Sequence, residues 1–383
     1  MINSYFNIKD FGAIGDGKTD CTVAIQKAIN AAAKIDGVVY VPSGVFLCAD
    51  VQVKEHITIK GDSSWSYRRN GGSILSLSNE NAKCILNITG AYGCIIENLT
   101  LNGSDNSGND LTSKKLGQNV HGILLDWNEP RPMQEEDTAL IQGVKIVNFS
   151  GDGVHLNNFW CVRIKGNYLF NNGGSGLYVN GWDLFATDNW FAHNDKYGVY
   201  SDKCASSLMF ISNRVECNVL AGFKLINPIN VNINSNQIDL NGGIGVDLNN
   251  PKGCRAIHIT IVGNNFTTSG GRNNINTPYN PSDTCHIFLY RCMNVVVQGN
   301  MLCQGLDESS MTDKSRKKEH IAPKTGIIYG KLKNCIIHDN CMMNCASEKV
   351  YKDLGDNEDN NIIEINGTVN TEVNPWLYPF FKD

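Results

Sequence analysis

Gly153-Val154-His155-Leu156, Gly176-Leu177-Tyr178-Val179, Gly198-Val199-Tyr200-Ser201, Gly222-Phe223-Lys224-Leu225 and Gly245-Val246-Asp247-Leu248 repeat one glycine–apolar–x–apolar unit. The steps between them are 23, 22, 24 and 23 residues. Gly122-Ile123-Leu124-Leu125 precedes this block, and Ile287-Phe288-Leu289-Tyr290 and Gly326-Ile327-Ile328-Tyr329 follow it after longer insertions. A second register runs in phase. Asn167, Asn189, Asn213 and Asn236 each follow an alternating apolar run and each precede a third short one, at Leu169, Phe191, Val215 and Ile238. Three short strands in each such period describe one coil of a right-handed parallel β-helix, whereas a propeller blade needs about 40 residues. The chain holds 49 asparagines, and asparagines stacked at a repeated turn, bonded side chain to side chain, account for that excess. An open solenoid end exposes its apolar core and needs a cap. One segment can form it. Thr19-Asp20 can start a helix over 20–33 that places Val23, Ala24, Ile25, Ala28, Ile29 and Ala32 on one face, with Gly37 ending it.

Composition narrows the class. With 383 residues and 42% hydrophobic residues the chain has ample core. A net charge of -5 with 19% charged residues excludes the basic footprint of a nucleic-acid binder. No apolar run is long enough to span a bilayer, and Met1-Ile2-Asn3-Ser4-Tyr5 has no secretory pattern. The fourteen cysteines are scattered, mostly within apolar runs. They read as free thiols in a reducing compartment, hence the cytoplasm. No metal or cofactor is expected.

Phe11-Gly12-Ala13-Ile14-Gly15-Asp16-Gly17-Lys18-Thr19-Asp20, then Ala24-Ile25-Gln26-Lys27-Ala28-Ile29 and Val39-Tyr40-Val41-Pro42-Ser43-Gly44, resembles the N-terminal signature of the pectate-lyase-like superfamily. The coil repeat extends the resemblance to about residue 345. It implies an all-β, right-handed parallel β-helix with an N-terminal α-helical cap, acting on or binding carbohydrate. The expected layout is one domain over 1–383: a strand and capping helix over 1–37, coils over 38–345 and a terminal cap or tail over 346–383.

In such a coil the apolar residues of each unit point inward and the residue between them points outward. Leu124, His155, Tyr178, Tyr200, Lys224 and Asp247 form that outward ladder, followed by Asp126, Asn157, Asn180, Asp202, Ile226 and Asn249. Aromatic faces and hydrogen-bonding groups on one surface suit a sugar. His155, Tyr178, Trp182, Asp188, Tyr200 and Lys224 are the candidate substrate-binding residues, although Asp188 also fits a plain turn residue.

Glycosidic hydrolysis uses two carboxylates, which narrows the catalytic candidates to Asp202, Glu216 and Asp247. Glu216 and Asp239 occupy the same position of successive third strands, and mutual repulsion would raise one pKa. Asp247 beside Lys224 has the plainer alternative of an ion pair. Ser150-Gly151-Asp152-Gly153 matches the Asp-Gly element of polygalacturonases, but their acid pair and histidine have no counterpart in the following coils. A calcium-dependent pectate lyase needs an acidic cluster, and only Asp247 stands beside Lys224. Gly181-Trp182, Thr187-Asp188-Asn189 and Val199-Tyr200-Ser201-Asp202 are similar to central coils of inulin fructotransferases and difructose-anhydride hydrolases. That similarity implies an acid at the Asp202 place.

The function expected is therefore cleavage or transfer of glycosidic bonds in oligosaccharides. The alternatives are a polysaccharide lyase or phage-type capsule depolymerase carried on a virion, and a glycan-binding module without turnover. The insertions at 104–120, 126–139, 267–284 and 305–324, the basic run Lys314–Lys318 and the apolar tail Pro375–Phe381 read as loops and a docking segment. The superfamily resemblance, and large apolar residues at the outward positions Tyr168, Phe185, Trp190 and Met209, lead us to expect a homotrimer.

Overall fold

The computed structural model describes residues 4–62, 71–105, 112–128, 135–270, 279, 283–306 and 320–369. Its contacts gather into two compact units, Met1–Arg214 and Val215–Asp383. The basic run and the apolar tail lie outside the described residues, as do parts of the four insertions. Apart from the antiparallel pair Gly305–Leu306 with His320–Ile321, the registered strand pairs are parallel. The protein is all-β but for one α-helix and one 3-10 turn among the described residues.

In the first unit each coil gives a strand to each of three faces. One face stacks Val51–Gln52, Cys84–Asn87, β1 (His121–Asp126), the first part of β2 (Val154–Lys165), the first part of β3 (Leu177–Thr187), and β4 (Val199–Ser201). β2 and β3 then bend onto a second face, with Asn158, Cys161 and Asp183 in the left-handed conformation at the bends. The third face stacks Thr100–Asn102, Lys145–Val147, Tyr168–Phe170 and Trp190–Ala192. Leu101, Ile146, Leu169 and Phe191 lie over one another with no exposed surface. Each such burial contributes about 1.5–3 kcal/mol.

The asparagine register does what the spacing predicts. Asn189 Oδ1 accepts the backbone N–H of Asn167 at 3.1 Å and its Nδ2 at 3.0 Å, and Asn213 serves Asn189 in the same way at 3.0 Å. A second ladder, Asn172 on Asn194, turns the next corner. Each amide satisfies backbone groups that the corner would otherwise leave orphaned.

Helix α1 runs Thr22–Ala32, and Asp20 Oδ1 accepts the Thr22 amide at 2.8 Å. Ile25, Ala28, Ile29 and Ala32 are buried against the first strands, while Val23, placed on that face by the sequence, is 67% exposed. Among the described residues no helix is long and apolar enough to cross a membrane. All fourteen cysteines are free. Tyr168 departs from expectation: it is fully buried, with Phe170 at 5.0 Å and Trp190 at 4.8 Å between ring centroids. It therefore offers no surface to a partner subunit, whereas Phe185 on β3 remains 41% exposed.

The second unit repeats the pattern. Ala221–Leu225, Ile244–Asn249, Cys285–Gln298, Thr325–Lys333 and Lys349–Asp353 stack in parallel. Its own asparagine ladder links Asn236, Asn264, Asn300 and Asn340.

Candidate active site

Register brings Leu124, His155, Tyr178 and Tyr200 side by side on β1 to β4, as the outward ladder predicts. The His155 and Tyr178 rings stack at 4.3 Å and 7°, Tyr178 meets Tyr200 edge-on at 5.9 Å, and Tyr200 stacks on Tyr197 at 4.7 Å. Beside them runs an amide ladder: Asn180 Nδ2 donates to Asn157, and Asn157 Nδ2 donates to Asp126, both at 2.7 Å.

Asp152, in the turn before β2, organises one end of this row. Its Oδ1 accepts the Ser175 amide at 2.7 Å. Its Oδ2 lies 2.8 Å from His155 Nδ1. A carboxylate only accepts, so His155 Nδ1 carries the proton of this bond, which in the neutral imidazole puts the lone pair on Nε2. The backbone N–H of Asp152 donates to His121 Nδ1 at 2.9 Å, which fixes His121 in the opposite tautomer. Burial, foremost, pushes the His121 pKa down to about 4, against the pull of Asp152. Gly174 packs directly on the Asp152 carboxylate, so a side chain there would displace it.

At the other end Tyr178 donates its hydroxyl to Asp202 Oδ1 at 2.8 Å. Burial first, and then Asp202, raise the Tyr178 pKa well above the usual phenol value. Tyr200 is raised to about 12 by burial and by Asp202. Both phenols are neutral at physiological pH and can donate protons. Asp202 is exposed at the strand end. The row thus holds a carboxylate-oriented imidazole and a carboxylate-bound phenol as neighbours on one face. Such an arrangement can offer an imidazole lone pair and a phenol proton to one bound molecule.

His121, Asp152 and His155 offer ligand atoms within 4.8 Å of one another. His155 Nδ1 is bonded to Asp152 Oδ2 and His121 Nδ1 to the Asp152 amide, so an ion at these atoms would have to displace those bonds. In the second unit His338, Asp339 and Glu364 form a more exposed group of the same kind.

The other sequence candidates fall elsewhere. Trp182 is 46% exposed but lies past the Gly181 bend, paired with Trp160 and Ser206 on the second face. Asp188 is an exposed left-handed turn residue before Asn189, so its alternative reading as a turn holds. Glu216 belongs to the second unit and is only 3% exposed, which withholds it from a solvent-filled cleft. Asp247, also in the second unit, has both oxygens engaged. Lys224 Nζ at 3.0 Å and the Asn249 amide at 2.8 Å meet Oδ1, and Tyr279 meets Oδ2 at 3.0 Å. Lys224 donates in turn to Asn249 O, so the ion pair that the sequence offered as the plainer alternative is formed. Sequence reasoning missed His121 and the pairing of Asp152 with His155. The signal was present in an Asp three residues before the ladder histidine, and in a histidine opening the preceding unit at 121.

The family model described as rhamnogalacturonase A/epimerase, pectate lyase-like, matches residues 5–224. The chain belongs to this pectate-lyase-like family. Among curated relatives, mannuronan C5-epimerase AlgE1 of Azotobacter vinelandii is 28% identical over 206 residues, 50% of this chain and 14% of that protein. Alginate lyase 7 of the same organism is 64% identical over 42 residues, 11% of this chain and 5% of that protein. The chain thus spans only a small part of the length of these relatives. Among solved structures, the AlgE6 A-module of Azotobacter vinelandii has a TM-score of 0.63 at 18% identity, covering 95% of this chain and 97% of that one. DFA-IIIase of Arthrobacter chlorophenolicus A6, without its lid, has 0.62 at 14%, covering 96% and 100%. Dettilon tailspike protein has 0.63 at 16%, covering 94% and 66%. These likenesses establish a shared parallel β-helix fold.

Proposed function

We propose that this pectate-lyase-like chain is an enzyme acting on an anionic polysaccharide, and that it moves a proton at the carbon next to a uronate carboxylate. The observation that carries this reading is the Asp152–His155 dyad lying flat against the Tyr178 phenol. His155 Nε2 is the base for the ring proton. Tyr178, neutral and held by Asp202, is the acid. Both groups stand on one side of a sugar laid across the face, which suits β-elimination: the base takes the proton, the C–O bond to the leaving sugar breaks, and the phenol protonates that oxygen. Return of a proton to the opposite side of the same carbon would instead give the epimer. The relatives named for mannuronan epimerisation and alginate cleavage support a uronate polymer as substrate. Incubation with uronate polymers tests this, with products read by mass spectrometry and by the ultraviolet absorbance of an unsaturated sugar.

A second reading keeps cleavage or transfer of a glycosidic bond by carboxylates. It is favoured by Asp202, exposed at the end of the aromatic row, and it predicts products that gain water or a second sugar. Two structural readings accompany either chemistry. We take the coils as right-handed with α1 closing the first of them, supported by the buried face of α1. We take the oligomer as a homotrimer, supported by the exposed Trp182 and Phe185 on the second face.

A further inference from the structure

At the end of the second unit, Ile336–His338 pairs with the last part of Cys285–Gln298 on one side and with Ile362–Ile363 on the other. Gln298 stands beside His338, and Ile337 beside Ile363, so Glu364 follows at the level of His338 one coil on. Ile337 is buried between its neighbours, which turns His338 outward with Gln298 and Glu364 in one row. Asp339 takes the next corner in the left-handed conformation, φ 53°, and its carboxylate folds back onto the row. His338 Nδ1 lies 2.6 Å from Asp339 Oδ2, and the backbone N–H of Asp339 donates to Glu364 Oε2 at 3.1 Å. One imidazole nitrogen and an oxygen from each carboxylate lie within 4.8 Å of one another.

The negative charge gathered here has no lysine or arginine to meet it. Asp283, Glu348, Asp356 and Glu358, other exposed acids of this unit, each pair with a lysine. Asp339 and Glu364 pair with no lysine or arginine among the described residues, and Asp339 Oδ1 and Glu364 Oε1 accept no hydrogen bond there. Gln298 Nε2 donates to Asp339 Oδ2 at 3.2 Å and steadies that carboxylate from outside. The His121 group differs, since the Ser175 amide occupies Asp152 Oδ1 and the Asp152 amide occupies His121 Nδ1. One imidazole nitrogen with two carboxylate oxygens suits zinc, which takes both ligand types at about 2.0–2.2 Å. Calcium takes about six to eight oxygens and gains nothing from the ring. Tetrahedral bonds of that length set ligand atoms about 3.3 Å apart, so shifts of about 1 Å in these surface side chains complete the site.

We propose that His338, Asp339 and Glu364 bind a zinc ion that fastens the last described coil to the one before it. Two residue pairs alone join Ile362–Ile363 to Ile336–His338, and Ile362 is 60% exposed, so this edge opens readily. Opening parts Glu364 from His338 and must release the ion, so zinc holds the edge closed. Calorimetric titration of zinc chloride into the full chain should show a site that His338→Ala and Glu364→Gln each weaken about a hundredfold, and Gln298→Ala about tenfold. Hydrogen exchange gives a second readout. The amides of Ile362 and Glu364, bonded to Cys335 O and Ile337 O, should exchange about 100-fold more slowly with zinc at about 100 times its dissociation constant. Calcium should leave them unchanged. Zinc affinity equal in all three variants, with a thiolate-to-metal absorption band when cobalt replaces zinc, places the ion on the free cysteines and overturns the site. Zinc binding that leaves exchange at Ile362 and Glu364 unaltered overturns the fastening, and an equal response to calcium overturns the choice of zinc.

Discussion

Asp152 meets His155 through Oδ2, Ser175 through Oδ1 and His121 through its own amide. Its charge selects the His155 tautomer, so Asp152→Asn should hold the shape and lose the selection. We expect kcat to fall by about 10³–10⁴, as in other carboxylate–histidine pairs. Asp152→Asn/His155→Gln should be scarcely worse than either single variant, because the two act as a unit; steady-state kinetics on the three proteins check this. His121 contributes to the response to acid, as does the fully buried His286, whose pKa burial also pushes down to about 4. The folded pKa of His121, about 4, lies below the ordinary 6.5, so the unfolded chain binds more protons between those values. The stability it protects is fully present above pH 6.5 and is lost as pH falls through 4, by about 3 kcal/mol. Denaturant titrations from pH 7 to 4 should show a shallower decline for His121→Gln. At this scale the sequence was legible where strand alternation decides direction: His155, Tyr178 and Tyr200 all face outward as their period requires. Asp152 was seen as an Asp-Gly motif but not as a partner, because it reaches His155 from a turn that strand alternation does not describe. Asp247 and Lys224 were recognisable as neighbours, yet Tyr279, which completes their burial, comes from a distant segment.

The corners of the coils carry much of the element-scale specificity. Asn189 is almost wholly buried and bonds to Asn167, Ile164 O and Asn213. Asn189→Ala removes the acceptor for both the amide and the side chain of Asn167, leaving buried donors unpaired. We expect about 3 kcal/mol of destabilisation, from 1–3 kcal/mol for each orphaned group, read as a lower denaturant midpoint at unchanged slope. The glycine repeat located the strands of the first face and the asparagine repeat located this corner. The second corner, Asn172 on Asn194, escaped notice because Asn171, Gly173 and Gly174 around it read as ordinary loop. Helix α1 was placed within two residues. Val23 was assigned to the wrong side because the apolar pattern at its first turn is too short to fix an angle.

For the whole molecule, parallel coils followed directly from the period, whereas the division at residue 214 left no mark in the repeat. Tyr168 illustrates a further limit: an outward direction does not mean an exposed residue, since whatever packs on a strand's outer side is invisible in the repeat. With Tyr168 buried, a homotrimer would draw on the exposed Phe185 and Trp182 with the half-buried Met209 and Trp190. Sedimentation should give about three times 42.2 kDa, and Phe185→Asp should shift the mass toward one chain; a single-chain mass for the unmodified protein contradicts the trimer. The most direct test of the central claim is turnover of a uronate polymer by the unmodified protein, His155→Gln and Asp202→Asn, with products identified by mass spectrometry. The acid–base reading predicts an unsaturated or epimerised uronate. His155→Gln should abolish it, while Asp202→Asn, which still accepts the Tyr178 hydroxyl, should lower it about tenfold. Products that have gained water, lost in Asp202→Asn but retained in His155→Gln, would contradict it.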